Sequence, residues 1–219
     1  TPRSSSAASD VYKRQNGFRA ELIDRILGLN GHIGVFKTDG RPIEKYNEVS
    51  FQLSEIPSIV AATPQIQGQV MATSSRNALG AVVRGVVWSD LAARKPLWDS
   101  LSQQAIAGFR DGGGILIGET MAFQLGVKPG DQISLLSAKG RTTAFGSVPT
   151  RRTYKIAGLF KVGMHEYDSS FVFMPLSAAQ SFFTLPEAVT GIELYSSSPL
   201  QIERVSAAVK ARLGQSYRL

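Results

Sequence analysis

A chain of 219 residues with 43% apolar and 19% charged side chains can bury one large domain or two lobes, which excludes wholesale disorder. It has no cysteine, so disulfide frameworks, thiolate metal sites and cysteine nucleophiles are excluded as well. Its 24 Lys and Arg against 17 Asp and Glu give a net +7, but the charge is spread out and no helix-turn-helix, RNP or zinc-finger pattern accompanies it, so no nucleic-acid partner is expected.

Residues 1–15 (TPRSSSAASDVYKRQ) are small, polar and aperiodic, and have no apolar core like that of a secretory signal. They read as a non-native or disordered extension outside the fold. From Asn16 the pattern turns helical, with Phe18, Leu22, Ile26 and Leu29 on one stripe and Gly28 and Gly31 loosening its end. HIGVF (32–36) reads as a strand and KTDGRP as a turn. Tyr46, Val49, Leu53 and Ile56 then predict a helix that Pro57 terminates. SIVAATPQIQGQVMATS follows as a strand expected to be interrupted near Pro64.

The C-terminal end repeats this order. TGIELY alternates as a strand, SSSP is a helix entry, and Ile202, Val205, Val209 and Leu213 mark one helix face before Gly214 and a closing strand in QSYRL. Two β-α-β units therefore bracket the chain, which predicts an α+β lobe built from both termini. Between them, roughly 76–188, lie short strands and many turns, read as an inserted lobe with a strongly bent sheet. No apolar run approaches the roughly 18–20 residues of a membrane span. The best candidate, ALGAVVRGVVW (78–88), is short and carries Arg84, so the segment reads as soluble.

Few residues suggest chemistry. The glycines at 112–114 precede a strand, whereas a phosphate loop follows one and ends in Gly-Lys-Ser/Thr, so they read as a turn. HEYD (165–168) brings His165, Glu166 and Asp168 together, but lacks the ligand spacing of a zinc site and reads as a polar turn. No Gly-x-Ser-x-Gly elbow is found, and no pocket marks Glu166 with Asp168 as an acid–base pair. No catalytic residue, metal or cofactor is expected.

The connection LSAKGRTTAFGSVPTRRTY (136–154) is different. Strand pairs usually need two to five connecting residues, and this one has more than ten. From Lys139 to Lys161 it holds Lys139, Arg141, Arg151, Arg152, Lys155 and Lys161 with no acidic residue, while Phe145 and Val148 are apolar without periodic partners. A protruding hairpin with an apolar tip and basic flanks suits protein recognition.

NGFRAELIDRILGLNGHI, LIGETMAFQLGVKPGDQISLL and HEYDSSFVFMPLSAAQSFF, in this order and spacing, resemble the periplasmic region of the LolC/LolE permease family, the lipoprotein-releasing branch of MacB-type ABC transporters. The resemblance covers residues 16–219. It implies a MacB-like periplasmic core with a Porter-like lobe (16–75 and 189–219) and an inserted Sabre-like lobe (76–188). It also implies a membrane helix before Asn16, continued by 16–28, and three more after Leu219, on the periplasmic face of a bacterial inner membrane. The implied partners are a LolA-type periplasmic chaperone, a lipoprotein substrate, a second permease subunit in a homo- or heterodimer, and a separate cytoplasmic ATPase subunit.

In the LolC type a long hairpin, the Hook, grips the chaperone beside a polar patch, the Pad. Residues 138–149 resemble that Hook, through Ala138, Lys139, Gly140, Arg141, Phe145, Gly146, Val148 and Pro149. Arg151 and Arg152 fall where the Pad's residues lie, and Ser134 stands where a basic Pad residue is expected. The LolE type, the single-permease type, and an efflux or mechanotransmission permease that binds an adaptor protein are the alternatives.

Overall fold

The alternation at the start of the chain forms β1 (Ile33–Lys37), with Ile33 and Val35 inward. The computed structural model describes residues 28–143, 146–197 and 202–219, with backbone alone at 138–143 and 146–148. A two-residue strand, β2 (Ile43–Glu44), leads into α1 (Tyr46–Ser54), whose Leu53 is fully buried with Tyr46 and Val49 packed beside it. β3 (Ile59–Thr73) then runs without a break. Pro64 stands opposite Ile192 with no shift of register, contrary to the expected interruption. It lies one residue outside the β4 ladder, whose last pair on this side is Gln65 with Val86. Its missing N–H therefore sits at the margin of a ladder, where proline is tolerated.

β4 (Ala78–Val86) is followed by three short helices, α2 (Trp88–Ala93), α3 (Lys95–Trp98) and α4 (Gln103–Arg110). Ser102 caps α4, its hydroxyl accepting the Ala105 N–H at 3.2 Å. Gly112, at φ 70°, turns the chain from α4 towards β5 (Ile115–Gly118), as the turn reading of the triple glycine expects. Then come α5 (Glu119–Leu125), β6 (Gln132–Thr143) and β7 (Gly146–Phe160). HEYD opens a short helix, α6 (His165–Ser170), rather than the expected polar turn. β8 (Phe171–Pro175), α7 (Leu176–Phe183), β9 (Ala188–Val189), β10 (Gly191–Ser196), α8 (Ile202–Leu213) and β11 (Tyr217–Arg218) complete the chain. The SSSP helix entry and most of the helix expected at 16–29 lie outside the described residues, of which only Gly28 and Leu29 show helical backbone.

The strands follow the order β11-β1-β10-β3-β4-β8-β5-β7-β6. β1 lies between β10 and β11, and β10 between β1 and β3, all antiparallel. The two β-α-β units thus interlock, each placing a strand between two of the other, a split β-α-β arrangement. Leu53 from α1 and Val205 and Val209 from α8 join Ile192 and Leu194 of β10 in one core, so both helices cover the same sheet face.

The rest of the sheet closes. β6 pairs back onto β3 through Met71 with Leu136, Ala72 with Leu135 and Thr73 with Ser134, so that β3, β4, β8, β5, β7 and β6 form a six-stranded ring. Val70, Ala72, Val83, Ile117, Leu135 and Val172 belong to the main core, and α7 adds Leu176, Ala179 and Phe182 while lying against β3, β4, β6, β7 and β8. The alternate residues Leu116, Phe160 and Phe173 turn outward into a second core with Leu91 and Leu97 from the short helices and Phe109 from α4. β3 is therefore common to the interlocked layer and the ring.

Candidate partner-binding hairpin

β6 and β7 form a hairpin from the ring, with Gln132 opposite Lys155 at its root and Thr143 opposite Gly146 near its end. The expected connection of more than ten residues is largely ladder. Ser137 pairs with Thr150 and Arg141 with Val148, so residues 138–140 face the single residue Pro149. This is a bulge of the enlarged kind, and proline, which has no N–H to donate, sits opposite it. β3 holds β6 only at 134–136, and β5 meets β7 only from Ile156 onward. Beyond Ser137 and Thr150 the described arms pair with each other alone. A two-stranded ribbon leaving a ring in this way reaches outward from it.

The sequence-predicted residues fall as follows. Ala138, Lys139, Gly140 and Arg141 lie in β6, and Gly146 and Val148 in β7, as backbone. Phe145 lies outside the described residues. Pro149 is exposed in β7. Ser134, Arg151 and Thr153 share one side of the root: Ser134 Oγ is 3.0 Å from Thr153 Oγ1 and accepts from Arg151 Nη2 at 3.5 Å. Arg152 is the next residue in the strand and projects to the other side, where Nη1 donates to Ser181 Oγ of α7 at 2.8 Å. Burial pushes the nearby Tyr154 phenol up, with Arg152 pulling it back in part. The two adjacent arginines therefore flank the root and do not form one cluster.

Lys161, the far end of the acid-free run, stands at the opposite end of β7 and pairs with Glu119 at 2.8 Å. The basic stretch is thus divided by the length of the strand. Beside the hairpin root, a groove of about 620 Å³ opens between the turn at Arg41, Gln67 and Gln69 of β3, Ser137 of β6 and Phe183 of α7.

The HEYD segment has a structural task. Asp168 is 5% exposed, and its carboxylate accepts the backbone N–H groups of Val162 at 2.8 Å and Gly163 at 3.0 Å. Among the described residues, no three His, Asp or Glu side chains converge as metal ligands. No helix among them is long and apolar enough to cross a membrane.

Sequence reasoning missed a buried ionic cluster of Arg84, Arg94 and Glu193 behind β10. Two signals were present: Arg84 interrupts the apolar run AVVRGVVW, and Glu193 sits inside the apolar strand GIELY. A charge in the middle of a buried strand calls for an opposite charge elsewhere.

The family described as MacB-like periplasmic core domain matches residues 14–212. Among curated relatives, the lipoprotein-releasing system transmembrane protein LolC of Xylella fastidiosa (strain Temecula1) is 27% identical over 92% of this chain and 48% of its own length. LolC of Neisseria meningitidis serogroup B is 24% identical over 91% of the chain and 48% of its own, and LolE of Haemophilus influenzae is 24% identical over 89% and 47%. The chain thus spans about half the length of these relatives. Among solved structures, the periplasmic region of MacB from Actinobacillus actinomycetemcomitans superposes with a TM-score of 0.54 at 13% identity, covering 90% of this chain and 92% of that one. The extracellular domain of the noncanonic ABC-type transporter YknZ from Gram-positive bacteria gives 0.53 at 13% identity, covering 85% and 97%. Those two likenesses concern the fold alone. The chain belongs to the MacB-like periplasmic core domain family and is similar in sequence to LolC and LolE.

Proposed function

We propose that this chain is the periplasmic domain of a permease subunit in a lipoprotein-releasing ABC transporter, and that its β6–β7 hairpin captures a LolA-type chaperone. The names of the LolC and LolE relatives support the transporter class. The observation that carries the capture role is the hairpin itself, whose arms pair only with each other beyond Ser137 and Thr150. Both arms are basic in sequence, through Lys139 and Arg141 on one and Arg151 and Arg152 on the other, and suit acceptor groups on a partner.

In this reading residues 138–149 provide reach, with Phe145 as the apolar anchor, and Ser134, Arg151 and Arg152 provide the surface at the root. Residues 16–75 with 189–219 form one lobe and 76–188 the other. The domain is non-catalytic: a separate cytoplasmic subunit hydrolyses ATP, and the intact permease pairs with a second one in the inner membrane and takes lipoprotein as its cargo.

The test is capture of purified LolA by the immobilised chain. Phe145→Ala and the double reversal Arg151→Glu/Arg152→Glu are each expected to weaken capture about tenfold or more, the scale of a lost anchor. Undiminished capture by both variants would overturn the hairpin assignment. Binding of an adaptor protein in place of LolA would move the chain to the efflux class.

A further inference from the structure

Behind β10, on the face away from α1 and α8, three charged side chains are buried together. Glu193 (β10), Arg84 (β4) and Arg94 (between α2 and α3) are 6%, 4% and 1% exposed. Arg94 Nη2 donates to Glu193 Oε2 at 2.8 Å, and Arg84 Nη1 lies 3.7 Å from Oε1. Burial pushes the Glu193 carboxyl up, but Arg94 and Arg84 together outweigh it and hold it below the usual carboxylate range. Burial also pulls Arg84 down, opposed by Glu193, yet a guanidinium stays protonated in proteins.

Both arginines also reach one short segment of chain. Arg94 Nη1 donates to the Leu29 carbonyl, and Arg84 Nη1 donates to Asn30 Oδ1 at 2.9 Å. Asn30 in turn donates to the Tyr167 hydroxyl of α6. Leu29 is fully buried in the second core, against the short helices that follow β4. A Cβ on Gly31 would stand 2.7 Å from the Glu193 Cβ, so backbone and sheet are in direct contact there. Gly28 and Leu29 have helical backbone, so the Leu29 carbonyl is one of the last of a helix, where a cation completes both the hydrogen bonding and the dipole.

A buried Arg–Glu–Arg set is poor at raising stability, because desolvation offsets much of the attraction, and apolar replacements of similar size are often as stable. Its distinctive effect is geometric. Each guanidinium has a fixed fork of donors: that of Arg94 is divided between Glu193 and Leu29, and that of Arg84 sets Nη1 between Glu193 and Asn30 while Nη2 donates to Gln67 Oε1 of β3 at 3.2 Å. The three charges come from β10 of the interlocked layer, β4 of the ring and the helices between.

We propose that Arg84, Glu193 and Arg94 are positioning residues that lock segment 28–31 to the ring, so that displacement of the chain before residue 28 is carried to the hairpin. This rests on the transporter reading, in which that chain leads to the membrane.

The test uses the complete transporter in proteoliposomes and the isolated chain in parallel. The variant Arg84→Met/Glu193→Leu/Arg94→Met removes the joint without stranding a charge. Hydrogen exchange at 28–31 is expected to accelerate about tenfold or more, while amides of β6 and β8 keep their protection. In the complete transporter, lipoprotein release is expected to fall about tenfold, with ATP hydrolysis and chaperone capture within about twofold of the parent, a split that general destabilisation does not produce. Release unchanged while 28–31 is loosened would overturn the proposal, and so would unaltered exchange at 28–31. Should the triple variant fail to fold, Asn30→Ala and Tyr167→Phe carry the same readouts. A parent transporter that releases no lipoprotein would refute the transporter reading, and the exchange measurement would still decide whether the joint exists.

Discussion

A Cβ placed on Gly118 would stand 2.1 Å from the carbonyl oxygen of Asp168, so β5 and the helix α6 touch backbone to backbone. No side chain can yield at such a contact. Gly118→Ala is therefore expected to cost about 3 kcal/mol and lower Tm by about 6–12 °C in a chain of this size. Thermal unfolding measures it, and a change below about 2 °C would contradict the close approach.

Asp168 also secures the chain before α6 by accepting the Val162 and Gly163 N–H groups. Asp168→Ala removes both charge-assisted bonds inside the protein and is expected to cost about 2–4 kcal/mol. Adding Zn²⁺ to the parent should leave Tm unchanged. Stabilisation by the metal, lost in His165→Ala, would restore HEYD as a metal site.

The buried cluster predicts an asymmetry between single and combined replacements. Glu193→Leu alone leaves two guanidinium groups without their carboxylate and is expected to cost about 3–5 kcal/mol. The triple apolar variant should cost far less, and urea unfolding of the two gives the comparison. Equal losses would mean that the charges do not compensate one another.

Two groups with depressed values, His32 and Glu193, weaken the fold on the acid side of the stability profile. His32 Nδ1 accepts the Ser196 N–H at 2.8 Å, which requires an unprotonated nitrogen, and burial holds the imidazole below its ordinary value. A group depressed in the folded state contributes stability above its unfolded pKa, about 6.5 for histidine, and loses it as pH falls through the folded value. Stability should thus begin to fall below about pH 6.5 and fall again below about pH 4.3, as Glu193, also depressed, takes up its proton. His32→Phe should remove the first step only. An NMR midpoint for His32 above about 6.5 would contradict this order.

Arg151 and Arg152 lie on opposite sides of the hairpin root, one against Ser134 and the other against Ser181. Taken singly, Arg151→Glu and Arg152→Glu should, on the proposed capture of a chaperone, weaken that binding unequally, because one partner surface meets one side. Equal losses would require a partner that wraps the root, and titration of capture by each variant distinguishes the two.

Periodicity served well where one face of an element is buried, as with the stripe of Val205 and Val209 that placed α8. The alternation in β10 placed the strand, but both of its faces are buried, the second around Glu193. The interlocking of β1 and β10 was not legible, since pairing between strands so distant in the chain leaves no local mark. Pro64 misled because its effect depends on which ladder lies beside it, a tertiary fact. The hairpin was legible, but its arms beyond the root read as connection rather than ladder because Lys139, Gly140 and Pro149 are poor strand formers, and the bulge is what accommodates them. Arg84 and Glu193 were readable as anomalies in apolar runs, but their mutual contact required the fold.

The shared strand β3 bears on the order in which the protein can be made. A ribosome delivers the whole ring, from β3 to β8, before it delivers β10, the strand that lies between β1 and β3. Residues 38–190 separate β1 from that strand, and at about 5–20 residues per second the wait is on the order of 10 s. During that interval β1 has neither of its neighbours, and β3 presents residues 59–65 unpaired on the side that β10 will take. The ring can already be closed by then, so the late arrival of β10 seals two exposed strand edges at once.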